Sequence, residues 1–291
     1  MLIQKPRFLC PRNGVQFITK INYRAFYNCG LLSVEIPNTV TTIEDGAFLT
    51  NNLTHIDIPD SVTSLSGNAF NDNQLVDEDA FIYARKSGGG EDRTRIVGYG
   101  GVNKTDVIVP EGVLIIDDYA FSSCGISKIT LPDGLTTIGS FAFSLNNLTT
   151  LDIPNTVTSI GYGAINSNNF PEETAYLFAR NSDGSIDDTI LVSYGGRSEI
   201  VTIPSTVITI KTRSVTNSYL DTIIIPPSVE VIENNAFLKG AYWSPSLTTI
   251  VNQTDRSFDW GQIINGTSGY NFVTGTVINS YGNVEVVSSL N

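Results

Sequence analysis

The sequence predicts a β-rich solenoid: a stack of about eight 22-residue coils with a parallel sheet, two inserted β-hairpins and a C-terminal β cap. Three observations carry that reading. Seven prolines (Pro37, Pro59, Pro110, Pro132, Pro154, Pro204 and Pro226) are separated by 22, 51, 22, 22, 50 and 22 residues, one period broken twice by insertions of nearly equal size. A bulky apolar residue recurs at one place in each period, and the two insertions resemble each other. Self-similarity at such a spacing means stacked units, each covering its neighbour's apolar face.

The strand comes before each proline. Leu53-Thr-His-Ile56-Asp-Ile58-Pro59 recurs as Leu148-Thr-Thr-Leu151-Asp-Ile153-Pro154 and Leu220-Asp-Thr-Ile223-Ile-Ile225-Pro226. Apolar residues in alternate places with a β-branched bias read as a short strand with one buried face. Proline has no N–H to give a ladder, so it suits the place where pairing stops. After the proline, Val40-Thr-Thr-Ile43 leads five residues on to Phe48, preceded by Ala47. The same spacing gives Phe70, Phe121, Phe143, Ile165, Val215 and Phe237, which stack into a spine worth roughly 1.5–3 kcal/mol per buried side chain.

Three residues past the spine the column reads Cys29, Asn51, Asn73, Cys124, Asn146 and Asn168, small groups able to bond backbone in a buried turn. The next column, Gly30, Asn52, Gln74, Gly125, Asn147 and Asn169, is where a left-handed turn residue is expected. Cys29 and Cys124 fall 95 residues apart in matching places of different coils and read as structural thiols.

These phrases, Ala25-Phe26-Tyr27-Asn28-Cys29-Gly30-Leu31 and then Val34-Glu35-Ile36-Pro37-Asn38-Thr39-Val40-Thr41-Thr42-Ile43, resemble the BspA-type (treponemal) leucine-rich repeat over residues 18–252. The resemblance implies a leucine-rich repeat stack in a bacterial surface or secreted protein, of a family associated with attachment to host proteins or other cells. Lys104 and Ser198 depart from the pattern, filling the first apolar position of the strands that follow the insertions, and mark expected fraying points.

Within the insertions, Ala80-Phe-Ile-Tyr-Ala-Arg85 matches Ala175-Tyr-Leu-Phe-Ala-Arg180, and Ile96-Val-Gly-Tyr-Gly-Gly101 matches Leu191-Val-Ser-Tyr-Gly-Gly196. Two β-rich runs around a Gly/Asp-rich turn read as a hairpin. The larger module is therefore 95 residues, three coils plus a hairpin, and the hairpins are expected to leave the same side of the solenoid. The organisation is a cap and half repeat at 1–26, a solenoid at 27–253 with insertions at about 71–103 and 166–197, and a β cap at 254–291.

A net charge of −12 argues against nucleic acid and anionic membrane surfaces as partners. No stretch is apolar enough to span a bilayer, and Met1–Asn13 lacks the apolar run of a secretory leader. Three cysteines and one methionine fit an exported protein whose leader is missing from this chain, with a cytoplasmic location left open. A monomer is expected.

No catalytic constellation appears. The only histidine, His55, lies at an outward strand position, and H-E-x-x-H, paired C-x-x-C and G-x-S-x-G motifs are absent. The sequence is read as non-enzymatic, without catalytic residues, cofactor or metal. Asp183, Asp187 and Asp188 gather oxygen ligands suited to calcium but miss EF-hand spacing, and read as solvated turn acids. Tyr83, Tyr99, Phe178 and Tyr194 could offer a glycan platform but read as the packed faces of the hairpins.

What remains is the outward side of the strands. One row holds Glu35, Asp57, Ile108, Thr130, Asp152, Thr202, Ile224 and Val251; a second holds His55, Lys128 and Ile200. The rows run from acidic through threonine-rich to apolar, and are the expected surface for a protein or cell-surface ligand. The leading reading is a binding or adhesion module. The alternatives are a structural spacer of a larger surface protein and a calcium- or glycan-binding protein.

Overall fold

The computed structural model describes residues 18–217, 219–239, 247, 249–259, 275–278 and 284–287. The expected N-terminal cap at 1–17 lies outside those residues, as do Trp260 and Tyr270 of the C-terminal cap. The chain makes about ten turns of a β-solenoid with almost no helix, the count rising above eight because each hairpin acts as a turn.

All seven repeat prolines do the same job. The carbonyl of each accepts a hydrogen bond from the amide three residues on, from Val40 on Pro37 (2.9 Å) to Val229 on Pro226 (3.2 Å). This β-turn redirects the chain into a two-residue strand that the sequence reading had not marked as one. Lys20–Ile21, Thr42–Ile43 and Ser64–Leu65 pair in parallel, as do Ile115–Ile116, Thr137–Ile138 and Ser159–Ile160, and Thr209–Ile210 with Val231–Ile232. Coils one period apart thus stay in register, Ile43 on Leu65 and Ile116 on Ile138.

The hairpins do not leave the stack. The first, Phe81–Arg85 with Glu91–Tyr99, places Arg95 and Ile96 in parallel register with Ile115 and Ile116. The second, Tyr176–Arg180 with Ile186–Tyr194, places Ile190 and Leu191 against Thr209 and Ile210. The physical reason is apolar area: Ile96, Val97, Tyr99, Leu191, Val192 and Tyr194 are buried, which a projecting hairpin would leave wet. Arg85 fastens the first hairpin to the coil before it. Its buried guanidinium donates to the carbonyls of Val62, Pro59 and Ile58 at 3.2, 3.2 and 3.3 Å.

The spine stacks in two runs, one on each side of the first hairpin. Phe26, Phe48 and Phe70 stack with ring centroids 5.2 and 5.0 Å apart, and Tyr99, Phe121 and Phe143 at 5.4 and 5.5 Å. Tyr99 therefore stands in the spine and Tyr194 is buried in the same core, where the hairpin reading had given them only a packed face. The first hairpin serves two parts of the core, Ile82 and Val97 toward the N-terminal coils and Tyr83, Ile96 and Tyr99 toward the rest.

The asparagine column is a ladder of side-chain bonds between coils. Asn146 Nδ2 donates to the carbonyls of Phe121 (2.7 Å) and Phe143 (3.0 Å), and its Oδ1 accepts from the Ile126 amide (2.9 Å). Asn51, Asn73 and Asn168 repeat that set. Cys124 keeps one part of it, its thiol donating to the Tyr99 carbonyl at 3.2 Å. In the following column Gly30 and Gly125 are left-handed, but Asn52, Asn147 and Asn169 are not. The left-handed residues instead sit two before and two after the spine residues Phe26, Phe48, Phe70, Phe121, Phe143 and Ile165, as Tyr119 and Ser123 flank Phe121, and only two before Val215 and Phe237. The expected fraying points are tied down as well: Lys104 pairs with Asp72 at 2.8 Å and Ser198 donates to Glu172 at 2.7 Å.

Candidate binding face

The pre-proline segments were expected to form one open sheet. They form two ladders instead: Val107–Ile108 with Ile129–Thr130, and Ile200–Thr202 with Thr222–Ile225, Thr249–Asn252 and the described strands Gly275–Ile278 and Val284–Val287. Past Leu75 and Phe170 the chain enters a short 3-10 turn, Asp77–Ala80 or Glu172–Thr174, and then a hairpin. The strand slot of that coil is left without a strand, and the segments before Pro37, Pro59 and Pro154 also lie outside the ladders.

The named residues stay on the outside. Glu35, His55, Asp57 and Asp152 are exposed in segments that form no ladder. Ile108, Thr130, Ile200 and Thr202 are exposed on ladder strands, Ile108 at 65 % and Ile200 at 58 %, and Lys128 is exposed just before one. Ile224 and Val251 are half-buried, in register with Thr202 and, through Val251, with Ile278 of the added strand. Lys128 pairs with Asp106 at 3.1 Å. His55 contacts Asp79, a residue the sequence reading did not select.

The interior behind the face is chemically quiet. Burial pushes the Tyr99 hydroxyl and the Cys124 thiol up to about 12, so both stay protonated at neutral pH. Asp183 and Asp187 are engaged by their own turns, accepting from the amide and hydroxyl of Ser185 and of Thr189. Among the described residues no group of three or more His, Cys, Asp or Glu could hold a metal ion. Tyr83, Tyr99 and Tyr194 are buried, and so offer no ring face to a sugar.

The two hairpin bases differ. In the second, the Tyr176 hydroxyl stands 2.5 Å from Glu172 Oε1 and 2.8 Å from the Thr202 carbonyl oxygen, while Tyr194 donates to Glu172 Oε2 at 2.7 Å. Burial, then the bond to Glu172, raises the Tyr176 pKa. In the first, Phe81 takes the place of Tyr176, facing Tyr99 as Tyr176 faces Tyr194. Phe81 has no hydroxyl to offer, and it lines a cleft of about 340 Å³. A signal for this difference is present in the sequence as the mismatch of Phe81 with Tyr176, one of three between the two runs.

A stacked solenoid with one face of outward strand residues defines a repeat protein built as a surface. The family model for the BspA type leucine rich repeat region matches six copies over residues 15–81, 99–176 and 193–257, and the chain belongs to that family. Solved structures it resembles include a leucine rich cell surface protein from Faecalibacterium prausnitzii, 25% identical with a TM-score of 0.43, covering 83% of this chain and 66% of that one. A leucine-rich repeat protein from Bacteroides ovatus is 18% identical (TM-score 0.39), covering 81% and 61%. The pneumococcal vaccine antigen PcpA is also 18% identical (TM-score 0.37), covering 81% and 58%. The chain spans about two thirds or less of the length of these proteins. No curated protein matches it.

Proposed function

We propose that the chain is a non-enzymatic binding module of a bacterial surface or secreted protein, engaging a protein or cell-surface ligand through the face that carries Ile108, Lys128, Thr130, Ile200 and Thr202. The family is one of binding and structural proteins, generally without catalysis, and adhesion at a cell surface is the finer role assigned here. The observation that carries it is the exposure of Ile108 and Ile200, large apolar side chains held out at 65 % and 58 % by ladder strands whose alternate residues fill the core. Fold economy does not require them there, since threonine serves the strand position of Ile108 at 130 and that of Ile200 at 222.

The test is binding of the purified chain to immobilised extracellular-matrix proteins and to whole partner cells, beside the double variant Ile108→Asp, Ile200→Asp. Saturable binding that the double variant loses at unchanged melting temperature supports the reading. Absence of binding to every surface, or binding indifferent to both substitutions, contradicts it.

A further inference from the structure

The two modules, alike in backbone, treat one feature differently. Val107 and Val109 donate their amides to Lys128 and Thr130, which turns the N–H and C=O of the intervening Ile108 to the other side of the strand. Among the described residues no strand pairs on that side, because Val107–Ile108 and Ile129–Thr130 make a two-stranded sheet. Thr202, two residues before its proline as Ile108 is, has the same orientation, and the Tyr176 hydroxyl covers its carbonyl at 2.8 Å. Phe81 cannot do this for Ile108.

The uncovered edge lies along the cleft of about 340 Å³, floored by Tyr99 and Val107 and walled by Val76, Phe81, Val102 and Ile108. Val76, Val102 and Ile108 are 46 %, 50 % and 65 % exposed. An open backbone edge beside an apolar pocket is what strand addition uses, main-chain bonds giving affinity and the pocket selecting alternate side chains. We propose that this cleft receives an extended peptide segment of a partner protein, which adds as a strand beside Ile108 and sets one apolar side chain between Phe81, Val102 and Ile108. Asp106 borders the cleft, its pairing with Lys128 is solvent-exposed on both sides, and the chain carries a net charge of −12. The segment therefore has lysine or arginine next to its apolar anchor. The inference deepens the binding-module reading and rests on it.

The test uses a random heptapeptide library displayed on phage, selected on the whole chain, with each enriched peptide then titrated by fluorescence anisotropy. Phe81→Tyr installs the hydroxyl that covers the Thr202 carbonyl in the second module, and Ile108→Asp spoils the pocket by charge. The expected result is enrichment of peptides alternating apolar and basic residues. Their affinity falls about tenfold or more in each variant at unchanged melting temperature. Tyr176→Phe should then add a second, weaker site. Peptides that bind Phe81→Tyr and Ile108→Asp as well as the parent, or a selection that enriches nothing, overturn the inference. Should matrix or cell binding persist through Phe81→Tyr while the peptides fail, the cleft is refuted and the wider face stands.

Discussion

Asn71 reaches Tyr119 across 48 residues of chain, its Nδ2 donating to the Tyr119 carbonyl at 3.1 Å while its Oδ1 accepts the Tyr99 amide at 2.9 Å. One buried side chain thus joins the coil before the first hairpin, the hairpin and the coil after it. Asn166 does the same at the second hairpin, donating to the Arg213 carbonyl at 2.8 Å and accepting from Ser193 and Tyr194. A hairpin can replace a coil because an amide group bridges the seam.

Removing that bridge should be costly. Asn71→Ala leaves the Tyr99 amide and the Tyr119 carbonyl without this partner in a dry site, a loss of roughly 3 kcal/mol. Asn147→Ala, at an exposed position, should stay within about 0.5 kcal/mol. Urea unfolding of the two variants checks the contrast.

Close approach of coils sets a second expectation. A Cβ at Gly161 would lie 2.3 Å from the Ser140 amide nitrogen, and at Gly98 2.8 Å from Asn71 Oδ1, whereas nothing lies within 4 Å of one at Gly88. Gly161→Ala should lower stability by about 1–3 kcal/mol as neighbouring backbone is pushed apart. Gly88→Ala should be near neutral, and thermal melts compare them.

Much of this was legible in the sequence, and what was not has a physical cause. The prolines and the Phe48–Phe70 and Phe121–Phe143 spacings define the coil and the spine because each coil buries the same position against the next. Glu35, Asp57, Ile108 and Lys128 were readable as outward because strand side chains alternate. The hairpins were misplaced because period-2 alternation marks a strand without saying what it pairs with. Asn71 and Asn166 escaped notice because they lie outside the repeated column. The left-handed residues include Tyr119, Phe141 and Leu145, where composition gives no warning, since stacking overrides the preference for glycine.

High pH should loosen the stack at its spine. Burial raises the Tyr99 hydroxyl to about 12 in the folded chain, above its ordinary value, so the neutral form is the one the fold favours. The sign follows: the contribution is complete below the unfolded value near 10 and is lost as pH rises toward and through about 12. Tyr99→Phe should reduce the decline in stability between those pH values, read by denaturant midpoints across the alkaline range.

The thiols should divide by burial. In a Cys10→Ser background, Cys29 is exposed and should react with Ellman's reagent at once, while Cys124, buried and with its thiol held up to about 12, should react only as the chain opens. Rapid labelling of both would contradict the placement of Cys124 in the asparagine column.

Amide hydrogen exchange tests most directly whether the hairpins are turns of the stack, on which both the broken face and the open cleft depend. Asn68, Asp117, Gly163 and Lys211 donate their amides to the hairpin carbonyls of Val97, Ile96, Val192 and Leu191 at 3.1, 2.9, 2.9 and 3.0 Å. Protection of these four matching that of Phe48 and Phe143 is the predicted result. Exchange at the rate of an open loop would show that the hairpins stand away from the coils, and would contradict the account.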